Sequence, residues 1–487
     1  MPPTVSSIAL AHAVALATVT AAVHAQGSRG HLTPGTLAVT GVAVVPMTSE
    51  TVIQNATVIV RDGRIEAIGP SARVKVPAGA RRIDGRGKYL IPGLADMHTH
   101  LYSDDPARPD SLGPYELAVM LANGVTAARF MIGTPEHLRL RSEVEAGRVL
   151  GPQLWVASPQ FAGKQYDNGV VVTSPEAARE AVRATADAGY DFVKLTMHIT
   201  RPVYDAIVDE AARRKIPVIG HVDPAVGVPR ALEAGQQIEH LDGYFEAILA
   251  DSVAGRESVS NYGVFQPKNW ETIDHVDDAK LVRLAEATAR AGVWSTPTLT
   301  IFNTAFGTGE TDAAMQARPD WRMIPPDVRE LYLGARTKYW RTAASETRRR
   351  RYVEVRNALT KAIADAGGRI MAGSDTPEWL MAYGWTLHRE LEALVTAGLT
   401  PYQALEAATR NPAEFLGAAR EWGTIERGKR ADLVLITGNP LEDIRNTGRI
   451  AGVSIGGRWL EPPALERLVA LGTDRLDGAP AERRGTY

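Results

Sequence analysis

The chain of 487 residues is 45% hydrophobic and 23% charged, ordinary globular proportions with length enough for one large catalytic domain and a smaller companion. Its 54 basic and 56 acidic side chains nearly cancel, so the formal charge of −2 supplies no strong field to draw nucleic acid or a membrane surface. Cysteine is absent, which excludes disulfides, a thiolate nucleophile, cysteine metal ligands and a lipid-anchored N-terminal cysteine.

Residues 1–25 read as a secretory signal peptide: an apolar run from Ile8 to Val23 ends at Val23-His24-Ala25, with cleavage expected after Ala25. The run is short for a spanning helix, and its n-region departs from the usual pattern in lacking Lys and Arg. A secreted or periplasmic protein is expected, with no membrane attachment once the signal is gone.

In residues 33–91, TLAVTGVAVVPM and NATVIVRDGRIEAIG alternate apolar and polar positions around Asp62-Gly63, a hairpin signature. GTIERGKRADLVLI and AGVSIGGRWL, within 421–465, have the same style. The two ends of the chain are therefore expected to build one small β-sandwich, followed by a tail at 466–487.

Between 92 and 420 the pattern changes to strand, loop and amphipathic helix. Candidate strands are GLADMH (93–98), VTAARFM (125–131), QLWVAS (153–158), FVKLT (192–196), PVIGH (217–221), QIEH (237–240), VWSTPTL (293–299) and RIMAGSD (369–375). Helical stretches separate several of them; SPEAAREAVRATADAG precedes the fourth, with Gly189 as its stop. This succession predicts an α/β fold, a (β/α)8 TIM barrel. Long segments after the sixth and seventh strands, holding NYGVFQPKNW and the run Arg348 to Arg351, are expected to form lids or substrate-shaping insertions. The arginine run itself reads as a solvated helix face.

Polar residues fall at the C-terminal ends of these strands, where barrel enzymes place their chemistry. His98 and His100 end the first, Lys194 lies near the end of the fourth, His221 ends the fifth, His240 the sixth and Asp375 the eighth. His98 and His100, two apart on a strand, project to one side, toward one ion. A single histidine is more often structural than ligating. Four histidines and an aspartate at successive strand ends are hard to explain as packing, and imidazole with carboxylate suits Zn²⁺ and its neighbours.

These residues resemble the amidohydrolase superfamily. IPGL followed by ADMHTH is similar to its first-strand signature, and VIGH, IEH and AGSDTP to its fifth, sixth and eighth strand motifs. LTPYQALEAATRNPAEFLG and GTIERGKRADLVLITGNPLEDI resemble its C-terminal helix and return to the sandwich, so the likeness runs from about 36 to 460. The resemblance implies two divalent metal ions, with zinc expected. His98, His100 and Asp375 would hold the buried one, and His221 and His240 the more exposed one. Lys194 matches the lysine that relatives carboxylate with CO2, giving an anion able to bridge both ions. An ordinary lysine paired with an acid would leave a mononuclear site instead.

The implied reaction is attack of a metal-bridging hydroxide on a carbonyl carbon, Asp375 taking the proton and returning it to the leaving amine. The ligand set is similar to the imidazolonepropionase-like and Xaa-Pro dipeptidase (prolidase-type) branch, whose members cleave dipeptides and N-acyl amino acids. Imidazolonepropionase itself lacks the bridging lysine, so Lys194 points to the binuclear side. One departure is VASPQFAGKQYDNG after the third strand, where many relatives have a Gly-rich segment carrying a His. Candidate substrate contacts are Tyr244 for a carboxylate or oxyanion, Arg129 for a carboxylate and His198 as oxyanion donor or ligand orienter, each against an ordinary structural role. A small-molecule substrate is implied, and self-association into a homo-oligomer is open. The rival readings are a lactonase or cyclic-amide hydrolase on the same metals, and a secreted binding protein on an inactive barrel.

Overall fold

A computed structural model describes residues 30–101, 113–166, 168–306, 311–324, 326–336, 343–378 and 380–477; the expected signal segment, 1–25, lies outside them. Strands β1 (Thr36–Val44), β2 (Ile53–Arg61), β3 (Arg64–Pro70), β4 (Arg81–Asp84) and β5 (Tyr89–Pro92) come from the N-terminal region. The β2–β3 hairpin turns at Asp62 (φ 47°) and Gly63 (φ 79°), left-handed at both positions as a tight primed turn requires.

Eight parallel strands follow the pattern read from the sequence: β6 (Leu94–Thr99), β7 (Val125–Phe130), β8 (Gln153–Val156), then, after two short strands β9 (Gln160–Ala162) and β10 (Gly169–Val171), β11 (Val193–Leu195), β12 (Val218–Gly220), β13 (Gln237–Glu239), β14 (Trp294–Thr296) and β15 (Arg369–Ile370). β6, β7 and β8 pair in parallel. A bridge between Ala157 and Phe192 carries the pairing to β11, and from there it runs in order to β15. A last parallel bridge, Thr99 with Thr376, returns to β6, where the Asp375 N–H donates to His98 O at 2.7 Å. This is a TIM-barrel-type α/β arrangement, with β9 and β10 added beside β11. Ala95, Met97, Ala127, Trp155, Phe192, Ile219, Trp294 and Met371, drawn from successive strands, share one buried cluster with Phe415 and Trp422. The helices obey local rules. Pro175–Ala188 opens on the Ser174 hydroxyl, which accepts from Ala177 N–H, and stops at Gly189 with φ 86°.

Strands β16 (Leu433–Ile436), β17 (Ile450–Ile455) and β18 (Arg458–Leu460) complete the terminal sheet, whose order is β18-β17-β16-β5-β1-β2-β3 with β4 on β1. β16 runs antiparallel to β5, so the two chain ends share one ladder. The sheet bends back over Val39, Val58, Leu90 and Leu433: Ile65 N–H reaches Lys429 O and Ala431 N–H reaches Gly63 O, both at 2.9 Å. Of the segment expected as a tail, 466–477 lies in a helix, Pro462–Asp477, that buries Leu465, and 478–487 lies outside the described residues.

The insertion after β13 holds short 3-10 turns at Asn261–Phe265 and Pro267–His275, and that after β14 holds helices Leu299–Phe306, Pro326–Ala335 and Glu346–Asp365. Along the last of these, Arg348 pairs with Asp274, Arg350 with Glu346 and Arg351 with Asp278, an ion-paired helix face. Among the described residues no helix is long and apolar enough to cross a membrane.

Candidate active site

All six residues singled out at strand ends meet at one mouth of the strand ring. The ring centroids of His98 and His240 are 4.5 Å apart, those of His221 and His240 5.0 Å, and those of His98 and His100 5.3 Å. Asp375 Oδ1 lies 3.3 Å from His98 Nε2 and 3.1 Å from His100 Nε2, and its Oδ2 3.8 Å from His240 Nδ1. His98, His100 and Asp375 each offer a donor atom within 4.8 Å of the others, a group able to hold a metal ion. Burial alone would raise Asp375; His98 and His240 outweigh it and hold the carboxyl well below the usual range.

Lys194 is buried, and among the described residues its Nζ has no hydrogen-bond partner. Burial lowers its pKa, against the pull of Glu239 and Asp375. Gly220 on the next strand makes room for it, since a Cβ there would stand 3.0 Å from Lys194 Cδ. A buried amine with nothing to donate to fits poorly as an ordinary structural lysine, and it fits a lysine whose nitrogen is meant to carry another group.

Three partners that the sequence reading did not identify set the histidine rings. Glu239 Oε2 accepts from His98 Nδ1 at 2.7 Å, Asp242 Oδ2 from His221 Nδ1 at 2.5 Å, and Thr298 Oγ1 pairs with His240 Nδ1 at 2.7 Å. Each contact engages Nδ1 and leaves Nε2 for the cavity, which is how metal-binding imidazoles are usually oriented. Two of these partners flank His240 in the sequence, so adjacency to a ligating motif is the signal that would have found them. Asp96 performs a similar task for the backbone: its Oδ1 accepts from Ser374 N–H and His98 N–H, and its Oδ2 from Ser374 Oγ. Left-handed φ values at His240 (57°), Thr298 (46°) and Asp375 (57°), rare for residues with a Cβ, mark a strained mouth.

The candidate substrate contacts fare differently. Arg129 is fully buried, its guanidinium donating to Met97 O, Gln237 Oε1 and Glu239 Oε1 at 2.6–2.8 Å. It lies beneath the site and supports Glu239, so the expectation of a substrate carboxylate on it is corrected. Tyr244 is also corrected: the start of a short helix turns it into the core, fully buried, with its hydroxyl on Thr288 Oγ1 at 2.8 Å. His198 is exposed in the loop after β11, its ring stacked on Tyr166 and its backbone N–H on Asp223 Oδ2 at 2.6 Å. Glu378, three residues past Asp375, was not singled out; its N–H donates to Asp375 O, its carboxylate accepts from Tyr332 OH at 3.2 Å, and burial, then the like charge of Asp375, push its carboxyl up to about 7.

Imidazolonepropionase of Acidiphilium cryptum (strain JF-5) is 25% identical over 434 residues, 87% of this chain and 94% of that one. Among solved structures, a putative prolidase from Bifidobacterium longum is 26% identical with a TM-score of 0.64, covering 90% of this chain and 99% of that one. Bottromycin amidohydrolase is 24% identical with a TM-score of 0.70, over 93% and 92% of the two chains, and speaks for the fold. The family model "Amidohydrolase family" matches residues 89–460, most of the chain, and the chain belongs to that metal-dependent family of hydrolases.

Proposed function

We propose that this chain is an exported, binuclear (β/α)8 hydrolase that cleaves an amide C–N bond, with a dipeptide or an N-acyl amino acid as substrate. The observation that carries the reading is the convergence of His98, His100, His221, His240 and Asp375 with a buried Lys194 Nζ that has no partner among the described residues. His98, His100 and Asp375 would hold one divalent ion, with zinc expected, and His221 and His240 a second; Lys194, carboxylated, would join them. When bound, such ions supply an acidified water and a pull on the substrate carbonyl. The putative prolidase that this chain resembles at 26% identity supports the dipeptide class.

The chain's own groups do the rest. Glu239, Asp242 and Thr298 fix three imidazoles at Nδ1 so that Nε2 faces the cavity. Asp375, held ionised, accepts the proton of the attacking water on a carboxylate oxygen and passes it to the leaving nitrogen as the C–N bond breaks. The products are a carboxylate and an amine. The signal at 1–25 directs export.

The test is metal stoichiometry on the purified mature protein, together with a panel of dipeptides, N-acyl amino acids, lactones and cyclic imides. About two ions per chain and cleavage confined to the linear amides support the reading. Preference for lactones or cyclic imides moves it to the rival hydrolase, and no metal with no turnover moves it to a binding protein.

A further inference from the structure

We propose that Glu378 is the specificity residue of this site and takes a substrate ammonium group, which selects dipeptides with a free amino terminus over N-acyl amino acids. The inference rests on the hydrolase reading above and chooses between its two substrate classes.

Its place in the fold follows from Asp375. The β15 strand ends, Thr376 pairs with Thr99, and the chain turns at once, Glu378 N–H donating to Asp375 O at 3.1 Å. The turn sets the Glu378 side chain at the mouth beside the proposed ligands, half-buried, within electrostatic reach of both Asp375 and His98. One hydroxyl steadies it: Tyr332, from helix Pro326–Ala335 of the insertion, donates to Oε2. That helix is fixed over the turn by its own apolar side, where Tyr332 and Leu333 pack with Ile324, Leu380 and Ala382. The carboxylate is therefore positioned, not loose.

What it lacks among the described residues is a cation. The buried carboxylates beside the histidines have basic partners: Glu239 has Arg129 and His98, and Asp242 has His221. Among the described residues no Lys or Arg side chain pairs with Glu378, and its side-chain hydrogen bond, from the Tyr332 hydroxyl, is neutral. A carboxyl kept half out of water without a counterion is costly to ionise, and a ligand that brings the positive charge offsets that cost. A dipeptide whose carbonyl lies at the metal ligands carries its α-ammonium one carbon away from that carbonyl. An N-acyl amino acid has no charge there.

The experiment uses the metal-loaded mature enzyme and two matched substrate pools: free-amine dipeptides, and the same C-terminal residues acylated by the corresponding des-amino acids. The wild type should favour the free-amine pool. In Glu378→Gln, which keeps the size and the acceptor for Tyr332, that preference should fall by roughly 10- to 100-fold, mostly through KM, since the ammonium contact is present before and during the reaction. Rates on the des-amino pool should hold. Glu378→Asp should recover part of the preference. Equal loss on both pools, or a wild type indifferent to the amine, overturns the assignment while leaving the hydrolase reading intact. Failure to cleave either pool, with lactones or cyclic imides turned over instead, overturns both.

Discussion

Glu239→Gln separates the two tasks assigned to the buried Arg129–Glu239–His98 chain. The Glu239 carboxylate is wholly buried, with Arg129 at 2.7 Å on one oxygen and His98 Nδ1 at 2.7 Å on the other. Burial alone would raise its pKa, but Arg129 and then His98 hold it well below the usual range. Replacing the charge by an amide keeps the volume and strands the Arg129 guanidinium without its counterion. Breaking a buried pair in this way costs about 3–5 kcal/mol, and the amide's residual hydrogen bond puts the expectation near the lower figure. The same change weakens the acceptor that fixes His98, for which loss of metal affinity is about 10- to 100-fold. Asp242→Asn is the internal comparison: it removes the acceptor from His221 but leaves no buried arginine unpaired. It should lose comparable affinity with a smaller loss of stability. Urea unfolding of the metal-free proteins reads the first quantity, and competition with a fluorescent zinc chelator the second. The reasoning fails if Glu239→Gln unfolds within about 0.5 kcal/mol of wild type, because no buried charge would then have been stranded. It fails equally if Arg129→Met and Glu239→Gln prove additive in the double variant, since contacting charges must couple.

Lys194→Ala should lose metal stoichiometry as well as rate, and the intact wild-type protein should gain the mass of one CO2 in bicarbonate buffer by native mass spectrometry; a variant that keeps both ions would rule out the bridging role. Gly373→Ala should cost metal affinity without touching any proposed ligand, because a Cβ at that position would lie 2.7 Å from His98 Cβ and 2.6 Å from Thr296 Cγ2; an unchanged chelator titration would contradict that packing argument. His388 sets an acid limb. Burial, against one bond to Asn123 O, lowers it from 6.5 to about 4, so the unfolded chain takes up the proton first as pH falls. Its contribution is whole above about pH 6.5 and lost on the way down to about 4, amounting to ~3 kcal/mol at ~1.4 kcal/mol per unit. His388→Gln should flatten the pH dependence of the urea midpoint across that window, and an unaltered slope would exclude His388 as its source.

The strand ends were legible because chemistry and fold coincide there. His98, His100, Lys194, His221, His240 and Asp375 each lie at or near the end of a strand-like run, and a barrel-type fold brings such positions to one mouth whatever the loops do. The hairpin at Asp62-Gly63 and the helix stop at Gly189 were legible for local reasons, since both positions carry a left-handed backbone. Substrate contacts were not. Tyr244 follows His240 by four residues, but a short helix begins there and turns it into the core, which no spacing rule encodes. Arg129 lies on a barrel strand and looks available in sequence, yet its partners, Gln237 and Glu239, stand more than a hundred residues away. Charge pairing at that separation is a property of the tertiary fold and not of any window of sequence. Glu378 was missed for the opposite reason: it lies beside a recognised motif, and only the insertion helix bearing Tyr332 gives it a defined position.

The seam that closes the ring also builds the site. β6 and the chain after β15 join through Met97 N–H to Ala372 O, Asp375 N–H to His98 O and His100 N–H to Thr376 O, at 2.7–3.0 Å. Asp96 pins the same two segments from below, holding the Ser374 N–H and hydroxyl and the His98 N–H on one carboxylate. His98 and His100 stand on one lip of this seam and Asp375 on the other, so the distances between them are set by backbone hydrogen bonds before any side chain chooses a rotamer. Ligands placed this way need little reorganisation when a cation arrives, which is the condition for tight binding by so few groups. The same arrangement means that a register slip of one residue at the seam would turn His98 and His100 away from Asp375 together. Pairing at this seam and metal affinity should therefore rise and fall as one quantity, and the buried Asp96, which is not among the proposed ligands, is the residue through which they are joined.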